Sequence, residues 1–278
     1  MEKMEIARLT PAIGAEIKGL NLADPLSNTG WEGVHDALLK HQVLVFRDQD
    51  LTADTMVALA RRFGPIGAYP FLKSLEGHPE ITEVIKEADE KINFGGLWHT
   101  DTSYLEQPPM GSLLYAKEVP PFGGDTLFAN MYLAYETLSP ALQQWLRGLK
   151  VVNRSDKAAA AATRVEQIGR IGAKQDARPV YEAIHPLVRT HPVTGRLSLY
   201  AHIGHSVRFE GMTEEESAPM LNFLYQHQIK PEFQCRIAWR PGTLTVWDNR
   251  CTLHNAMNDY HGHRRHMWRI TIEGDRPV

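Results

Sequence analysis

The sequence feature that most constrains the fold is the run Trp98-His99-Thr100-Asp101, taken together with a histidine much later in the chain, His254. In an extended segment, residues two apart point to the same side, so the side chains of His99 and Asp101 can face one ligand. His254 can join them only in a fold that brings distant segments side by side, as a jelly roll does. Two imidazoles and one carboxylate are the ligand set of a mononuclear iron(II) site with open positions. The His-x-Asp pair alone is weak evidence, because a chain with 13 histidines forms such pairs by chance.

The bulk composition indicates one folded domain without a nucleic-acid surface. The chain has 278 residues, of which 43% are hydrophobic and 23% charged, and its formal net charge is −3. These values are typical of a globular protein. The net negative charge gives no sign of a basic surface that would bind nucleic acid. We therefore predict a single domain over residues 1–278.

The cysteines and the apolar runs predict the compartment. Cys235 and Cys251 form neither a C-x-x-C motif nor a disulfide framework, which is typical of a reducing cytosol. No uninterrupted apolar run reaches the length of a transmembrane helix, and the first residues do not read as a signal peptide. We expect a cytoplasmic protein that does not enter a membrane.

Local patterns predict strands around the candidate residues and helices towards the front and middle of the chain. The apolar run Val43-Leu44-Val45-Phe46 predicts a buried strand. Thr52 is predicted to cap the helix that follows it, and Thr213 with Glu216 forms the capping-box pattern of another helix. The strand-helix alternation of a parallel sheet is weak. The patterns favour a β-sandwich or jelly roll decorated by helices.

Residues 153–184 differ in character from the rest of the chain. They contain an alanine run, several charges and two glycines, with few large apolar side chains. One interpretation is a solvated helix and loop. The other is a mobile lid over a site, a role that long loops often have.

Two arginines near the end of the chain suggest an anion-binding surface. Arg265 and Arg269 are four apart in a predicted strand, so they share one face, and Arg264 and Trp268 share the other. Two inward-facing guanidinium groups are costly in a core without anionic partners, and guanidinium groups bind carboxylates in bidentate fashion. Bound anions would explain them. The alternative is a surface strand with ordinary exposed arginines.

Other residue groups also contain possible metal ligands or a possible nucleophile. The segment His78-Pro79-Glu80 is interpreted as a surface turn, and the glycine-broken pairs His202-Ile203-Gly204-His205 and His261-Gly262-His263 as loops that do not ligate metal. Cys251 lies close to His254 in sequence, but no oxyanion motif accompanies it. We interpret it as a buried, inert thiol.

Several short segments occur together in an order that is specific to one family. They are Trp98-His99-Thr100-Asp101, Gly123-Gly124-Asp125-Thr126, His191-Pro192-Val193-Thr194-Gly195, Val246-Trp247-Asp248-Asn249-Arg250, His254, and Arg265 with Arg269. In these segments the chain resembles the iron(II)/2-oxoglutarate-dependent taurine/2,4-dichlorophenoxyacetate dioxygenase family, and the resemblance covers nearly the whole length. It implies a mainly β fold with flanking helices, the double-stranded β-helix, which is a cupin-like jelly roll.

The resemblance also implies a cofactor, two cosubstrates and roles for individual residues. The metal would be iron(II), and 2-oxoglutarate and O2 would be the cosubstrates. The implied assignments are His99, Asp101 and His254 on iron, Thr126 and Arg265 on the distal carboxylate of 2-oxoglutarate, Trp247 lining that pocket, and Arg269 on an anionic group of the substrate.

The chain departs from the taurine enzyme at the substrate end. Where that enzyme has a histidine for the sulfonate, this chain has Ala68-Tyr69-Pro70-Phe71. The stretch that begins at Phe71 looks more like the phenoxyalkanoate branch, which suggests an apolar or aromatic small acid. Tyr69, Asn93 and Tyr104 are candidate wall residues of the substrate pocket, and each could equally be a packing residue.

The resulting functional hypothesis is hydroxylation of a small anionic organic substrate, such as an aryloxyalkanoate, a sulfonate or a related acid. It would be coupled to conversion of 2-oxoglutarate to succinate and CO2. A non-catalytic jelly-roll protein that binds a small anion or metal is the alternative. A zinc hydrolase could use the same three ligands, but it has no use for Arg265 and Thr126. The resemblance also suggests a homo-oligomer.

Overall fold

The computed structural model describes residues 4–67, 73–157 and 180–278. Within these ranges lie seventeen β-strands and five α-helices, which we number in chain order. The strands are β1 (Glu5–Arg8), β2 (Ala15–Lys18), β3 (Val43–Phe46), β4 (Ile66–Gly67), β5 (Ser74–Leu75), β6 (His78–Lys86), β7 (Gly111–Glu118), β8 (Thr126–Asn130), β9 (Lys150–Arg154), β10 (Glu182–Pro186), β11 (Val188–Thr190), β12 (Leu197–Leu199), β13 (Ser206–Phe209), β14 (Gln234–Ile237), β15 (Leu244–Asp248), β16 (Thr252–Ala256) and β17 (Arg265–Ile272). The helices are α1 (Asn28–His41), α2 (Ala53–Phe63), α3 (Met131–Glu136), α4 (Pro140–Arg147) and α5 (Glu214–Gln228).

Two packed sheets form the centre of the molecule. The larger has nine strands, in the order β1-β2-β3-β15-β7-β17-β6-β5, with β4 paired to β17. The smaller has the order β14-β8-β16, and one apolar cluster contains side chains from both sheets. Nearly all strand pairs are antiparallel, and β2 with β3 is a parallel pair. This mainly β architecture confirms the predicted jelly roll with flanking helices.

The β3 strand shows why an unbroken apolar run belongs in this sheet. Val43 and Val45 belong to the apolar cluster shared with the smaller sheet. Leu44 and Phe46 point the other way, into a second cluster that contains Met56 of α2. Both faces of β3 are therefore buried, and no polar alternation is required.

The predicted helix starts are confirmed. Thr52 Oγ1 accepts a hydrogen bond from the Thr55 amide at 3.2 Å, at the start of α2. Thr213 and Glu216 form both bonds of a capping box at the start of α5. These bonds satisfy amides that the first turn of a helix leaves unpaired.

The segment predicted as a lid is described only at its ends. Residues 150–154 and 182–186 are not loop but the paired strands β9 and β10. The three central residues of β9 and alternate residues of β10 are buried. The stretch 158–179 lies outside the described residues. His78, interpreted as part of a surface turn, is partly exposed. It follows the turn at Glu76 and Gly77 as the first residue of β6, where it pairs with Leu75.

The membrane prediction can be tested on the described helices. None of the helices in the described part of the chain is both long enough and apolar enough to cross a bilayer.

Candidate metal centre

The two histidines and the aspartate converge at one point. A backbone pairing joins the distant segments, with His99 N donating to His254 O at 3.0 Å and the reverse bond at 2.8 Å. The Asp101 Oδ1 atom lies 3.8 Å from His99 Nε2 and 3.7 Å from His254 Nε2. One ligand atom from each residue lies within 4.8 Å of the other two, so the three side chains can share one ion.

Both imidazoles are held in the form that binds a metal. His99 Nδ1 donates to the Leu97 carbonyl at 2.6 Å, because a carbonyl oxygen only accepts. The lone pair of His99 therefore lies on Nε2, the atom that faces Asp101. Burial, together with the nearby His99, holds the pKa of His254 well below its ordinary value. A neutral imidazole is the form that ligates metals.

Aromatic packing orients His254. Its ring lies 4.9 Å from the Trp247 ring and is stacked 5.9 Å from Phe128, measured between centroids. Its position on β16 follows from the pairing of that strand with β8, in which His254 lies opposite Phe128. Strand pairing with β8 and the contact with Trp247 of the larger sheet therefore fix the position of His254.

Asp101 is buried and ionised. Burial alone would raise its pKa, but the positive charge of Arg269 and the nearby histidines lower it well below the ordinary value. Arg269 Nη2 lies 2.6 Å from Asp101 Oδ2. Ser112 Oγ and Asn249 Nδ2 donate to the same oxygen, at 2.8 and 3.0 Å. The carboxylate thus presents Oδ1 to the two histidines.

Arg265 marks the other end of the site. Its side chain is only 6% exposed, and its Nε and Nη2 atoms have no hydrogen-bond partner among the residues that the structure describes. Its guanidinium carbon lies 5.6 Å from the centroid of the Trp239 ring. Burial lowers its pKa, which expresses the cost of a desolvated cation. A bound anion would offset that cost.

One cavity joins two of the ligands, His99 and His254, to this arginine. It is lined by Val84, Phe94, Gly95, His99, Leu114, Thr126, Trp247, His254, Ala256, Arg265 and Arg269. Thr126 Oγ1 accepts a hydrogen bond from Trp239 Nε1 at 3.0 Å, so the hydroxyl proton of Thr126 can be donated to a bound anion. The cavity therefore has a metal-ligating end and an anion-binding end. This arrangement fits a bidentate acid that ligates the metal at one end and carries a second carboxylate at the other.

The interpretation of the arginine strand as an exposed surface strand is wrong. Both Arg265 and Arg269 are buried and line the same cavity. Arg264, on the opposite face, is partly exposed and pairs with Glu87 and Glu118. The period-two alternation of β17 produces this separation of faces.

The predicted wall residues have different surroundings. Asn93 is buried, and its Nδ2 donates to the carbonyls of Ala256 at 2.9 Å and Met257 at 3.2 Å, so it ties its loop to the end of β16. Tyr104 is buried beside His205, with ring centroids 4.8 Å apart. Neither residue lines the cavity that contains His99. Tyr69 lies outside the described residues.

The other groups of possible ligands do not join the cluster of His99, Asp101 and His254. His78 is partly exposed and lies 3.8 Å from Asp54, and His261 is exposed. His202 and His205 both contact Ser103 Oγ, at 2.9 and 3.3 Å. Burial raises the pKa of Cys251 well above its ordinary value, as expected for an inert thiol.

A second group of candidate ligands is already satisfied within the chain. His191, Asp248 and Cys251 bring potential ligand atoms together. Arg250 donates to both Asp248 oxygens, at 2.8 and 2.7 Å, and His191 Nε2 contacts Asp248 Oδ2 at 3.0 Å. His191 Nδ1 accepts from the Val193 and Thr194 amides. This network is structural.

Sequence reasoning assigned no role to three residues at the site. Ser112 and Asn249 hold Asp101, and Trp239 contacts both Thr126 and Arg265. A signal was present for Ser112, which is a fully buried polar residue directly before the apolar run of β7. The contacts of Asn249 and Trp239 depend on the tertiary fold.

Comparisons with known proteins agree with this geometry. Residues 5–271 match the family described as "Taurine catabolism dioxygenase TauD, TfdA family". An alkylsulfatase of Acinetobacter baylyi is 34% identical over 279 residues, covering 99% of this chain and 86% of the relative. The (S)-phenoxypropionate/alpha-ketoglutarate-dioxygenase of Sphingobium herbicidovorans is 34% identical over 278 residues, covering 98% of this chain and 95% of the relative.

A solved structure shows the same fold. The crystal structure of a taurine dioxygenase from Burkholderia xenovorans matches with a TM-score of 0.84 and 34% identity, covering 99% of this chain and 91% of that chain. The comparisons give no support to the non-catalytic alternative, and the predicted family is confirmed. The chain belongs to the taurine catabolism dioxygenase TauD, TfdA family of iron(II)- and 2-oxoglutarate-dependent dioxygenases.

Proposed function

We propose that His99, Asp101 and His254 hold iron(II), and that Arg265, Thr126 and Trp247 form the binding pocket for 2-oxoglutarate. The substrate would be a small organic acid with a carboxylate, sulfonate or sulfate group. Iron(II) with 2-oxoglutarate and O2 supplies the oxidant that hydroxylates a C–H bond, while 2-oxoglutarate becomes succinate and CO2.

The residues of the chain bind and orient in this proposal. The neutral imidazoles and the ionised carboxylate would hold the metal and would leave positions free for exchangeable ligands. Arg265 receives the distal carboxylate of 2-oxoglutarate, and Thr126 donates its hydroxyl proton to the same group. Trp247 packs on His254 and keeps water from that side of the pocket.

The observation that carries the proposal is the buried Arg265, whose Nε and Nη2 atoms have no hydrogen-bond partner among the described residues. It lies in the cavity that also contains His99 and His254. A zinc hydrolase or a simple metal-binding protein has no need of a buried cation at this place. An acid with two carboxylates satisfies both ends of the cavity at once.

The substrate proposal depends on the second arginine. Arg269 lines the cavity and brings a second positive charge close to the metal ligands. We place the anionic group of the substrate near it, because charge-assisted hydrogen bonds to carboxylates and sulfonates favour guanidinium groups. The relatives named for an alkyl sulfate and a phenoxypropionate support this class of substrate. Tyr69, Asn93 and Tyr104 remain candidates for the pocket wall.

The experiment is a substrate panel with purified protein, iron(II), ascorbate and 2-oxoglutarate, in which succinate is quantified. We expect substrate-dependent succinate with at least one aryloxyalkanoate, alkanesulfonate or alkyl sulfate, and none with Asp101→Ala. Absence of succinate with every acid, in protein that binds iron(II), would contradict the proposed reaction. Metal analysis of protein purified without oxygen then tests iron against zinc.

Two further expectations accompany this proposal. The protein would be cytoplasmic, and it would form a homo-oligomer. Two buried free cysteines support a reducing compartment. Light scattering tests the oligomer.

A further inference from the structure

The two oxygens of Asp101 have very different surroundings. Oδ2 receives three donors, Ser112 Oγ at 2.8 Å, Asn249 Nδ2 at 3.0 Å and Arg269 Nη2 at 2.6 Å. Each carboxylate oxygen has about two lone-pair sites, so Oδ2 is saturated. Oδ1 faces His99 Nε2 and His254 Nε2.

The orientation of the Asn249 amide follows from its two partners. Trp247 Nε1 donates to Asn249 Oδ1 at 2.8 Å, and an indole N–H can only donate. The opposite end of the amide must therefore be the NH2 group, which meets the acceptor-only oxygen of ionised Asp101. A flipped amide would place donor against donor and acceptor against acceptor.

The backbone of Asn249 is also fixed. Its N–H donates to the Met110 carbonyl at 2.9 Å, and its carbonyl accepts from Thr100 Oγ1 at 2.7 Å. Thr100 is the neighbour of both His99 and Asp101 in the chain. The turn that carries Asn249 is thus tied directly to the segment that carries two of the ligands.

We propose that Asn249 is a positioning residue that, together with Ser112, holds Asp101 so that it ligates the metal through Oδ1 alone. The inference rests on the proposed iron site and assigns to it residues beyond the three ligands. A carboxylate that turned to bind through both oxygens would occupy one of the positions that 2-oxoglutarate and O2 require. The three donors on Oδ2 oppose that turn, and Trp247 holds the amide that provides one of them.

The test uses cobalt(II) as the only added ligand, with metal-free full-length protein. The dissociation constant is measured by competition with a chelator, and the visible spectrum of cobalt reports its coordination geometry. Asn249→Ala and Ser112→Ala should each weaken cobalt binding about 10- to 100-fold, the usual cost of losing a partner of a metal ligand. The spectrum of Asn249→Ala should also change, because its Asp101 is freer to ligate through both oxygens.

Asn130→Ala is the matched control. Asn130 is also a buried asparagine, but its amide caps α3 and donates to Ala12 and Gln42. Its removal should lower the thermal unfolding temperature and leave cobalt affinity unchanged. Loss of stability is thereby separated from loss of metal positioning.

Asn249→Asp keeps the shape of the side chain and the acceptor for Trp247, and it loses the donor to Asp101. It should weaken cobalt binding at least as much as Asn249→Ala, which keeps the proposal testable if the alanine variant does not fold. Cobalt affinity within about twofold of wild type in both Asn249 variants, with an unchanged spectrum, would overturn the positioning role alone. Wild-type protein that binds no divalent metal would overturn the metal site and the positioning role together.

Discussion

Arg265 and Arg269 lie four residues apart on the same face of β17 and line the same cavity, yet their surroundings differ. Arg269 is paired with Asp101 at 2.6 Å. Arg265 has two buried nitrogens without a partner among the described residues. The same residue type, equally buried on the same strand, therefore supports a metal ligand in one place and is available to bind an anion in the other.

The two arginines therefore have different energetic consequences. A buried ion pair that loses one partner leaves an uncompensated charge, which is strongly destabilising. A buried cation without an internal partner is already unfavourable to the fold. We infer that the stability lost at Arg265 is recovered when 2-oxoglutarate binds. This contrast leads to four predictions.

The largest expected effect is on the stability of the metal-free protein. Arg269→Met leaves Asp101 buried without its cation and should lower the free energy of unfolding by about 3–5 kcal/mol. Arg265→Met removes a buried charge that lacks a partner, so it should leave the free energy of unfolding unchanged or raise it. Urea unfolding at neutral pH measures both. Equal losses in the two variants would remove the distinction between the arginines.

The second effect is on cosubstrate affinity. Arg265→Met should weaken 2-oxoglutarate binding by about 2–4 kcal/mol, which is roughly 30- to 1,000-fold in Kd, because the distal carboxylate loses a buried charge partner. Calorimetry with iron(II)-loaded protein under anaerobic conditions gives the Kd. The iron(II) affinity should not change, since Arg265 does not contact the three ligands in the described structure. A weaker affinity for iron(II) would speak against this assignment.

Thr126 tests the same end of the cavity with a smaller change. Thr126→Val keeps the shape of the side chain and removes one hydroxyl donor, so 2-oxoglutarate binding should weaken by about 1 kcal/mol, or roughly fivefold. The KM for 2-oxoglutarate is the readout. A changed cobalt affinity with an unchanged KM would show that the Thr126 hydroxyl acts at the metal and not on 2-oxoglutarate.

The smallest effect is expected at the neighbouring arginine. Arg264 is partly exposed and pairs with Glu87 and Glu118 on the other face of β17. Exposed ion pairs contribute little, so Arg264→Ala should change the KM for 2-oxoglutarate by no more than about twofold. A larger change would show that charge near the strand, and not the position of Arg265, controls binding.

Much of the site could be predicted from the sequence because its signals are local or periodic. The four-residue spacing of Arg265 and Arg269 follows from the alternation of side chains along a strand. His99 and Asp101 lie two residues apart, so a short segment presents both. The caps at Thr52 and Thr213 need only their own helices. The resemblance then connected these local signals to His254.

The remaining features depend on contacts between distant segments. Residues Thr252–Ala256 form β16 through pairing with β8, although their side chains do not alternate clearly between polar and apolar. Asn249 reaches Asp101 because the turn after β15 is hydrogen-bonded to the distant segment that carries Thr100 and Asp101. No local pattern shows which of two buried arginines already has a carboxylate beside it.

The most direct test of the account is an anaerobic titration of iron(II)-loaded protein with 2-oxoglutarate, followed by the visible metal-to-ligand charge-transfer band. Wild type and Arg264→Ala should develop a saturable band at closely similar concentrations. Arg265→Met should require at least about 30-fold more 2-oxoglutarate to reach half of its full absorbance. Saturation of Arg265→Met at the wild-type concentration would contradict the proposal that Arg265 binds the distal carboxylate of 2-oxoglutarate.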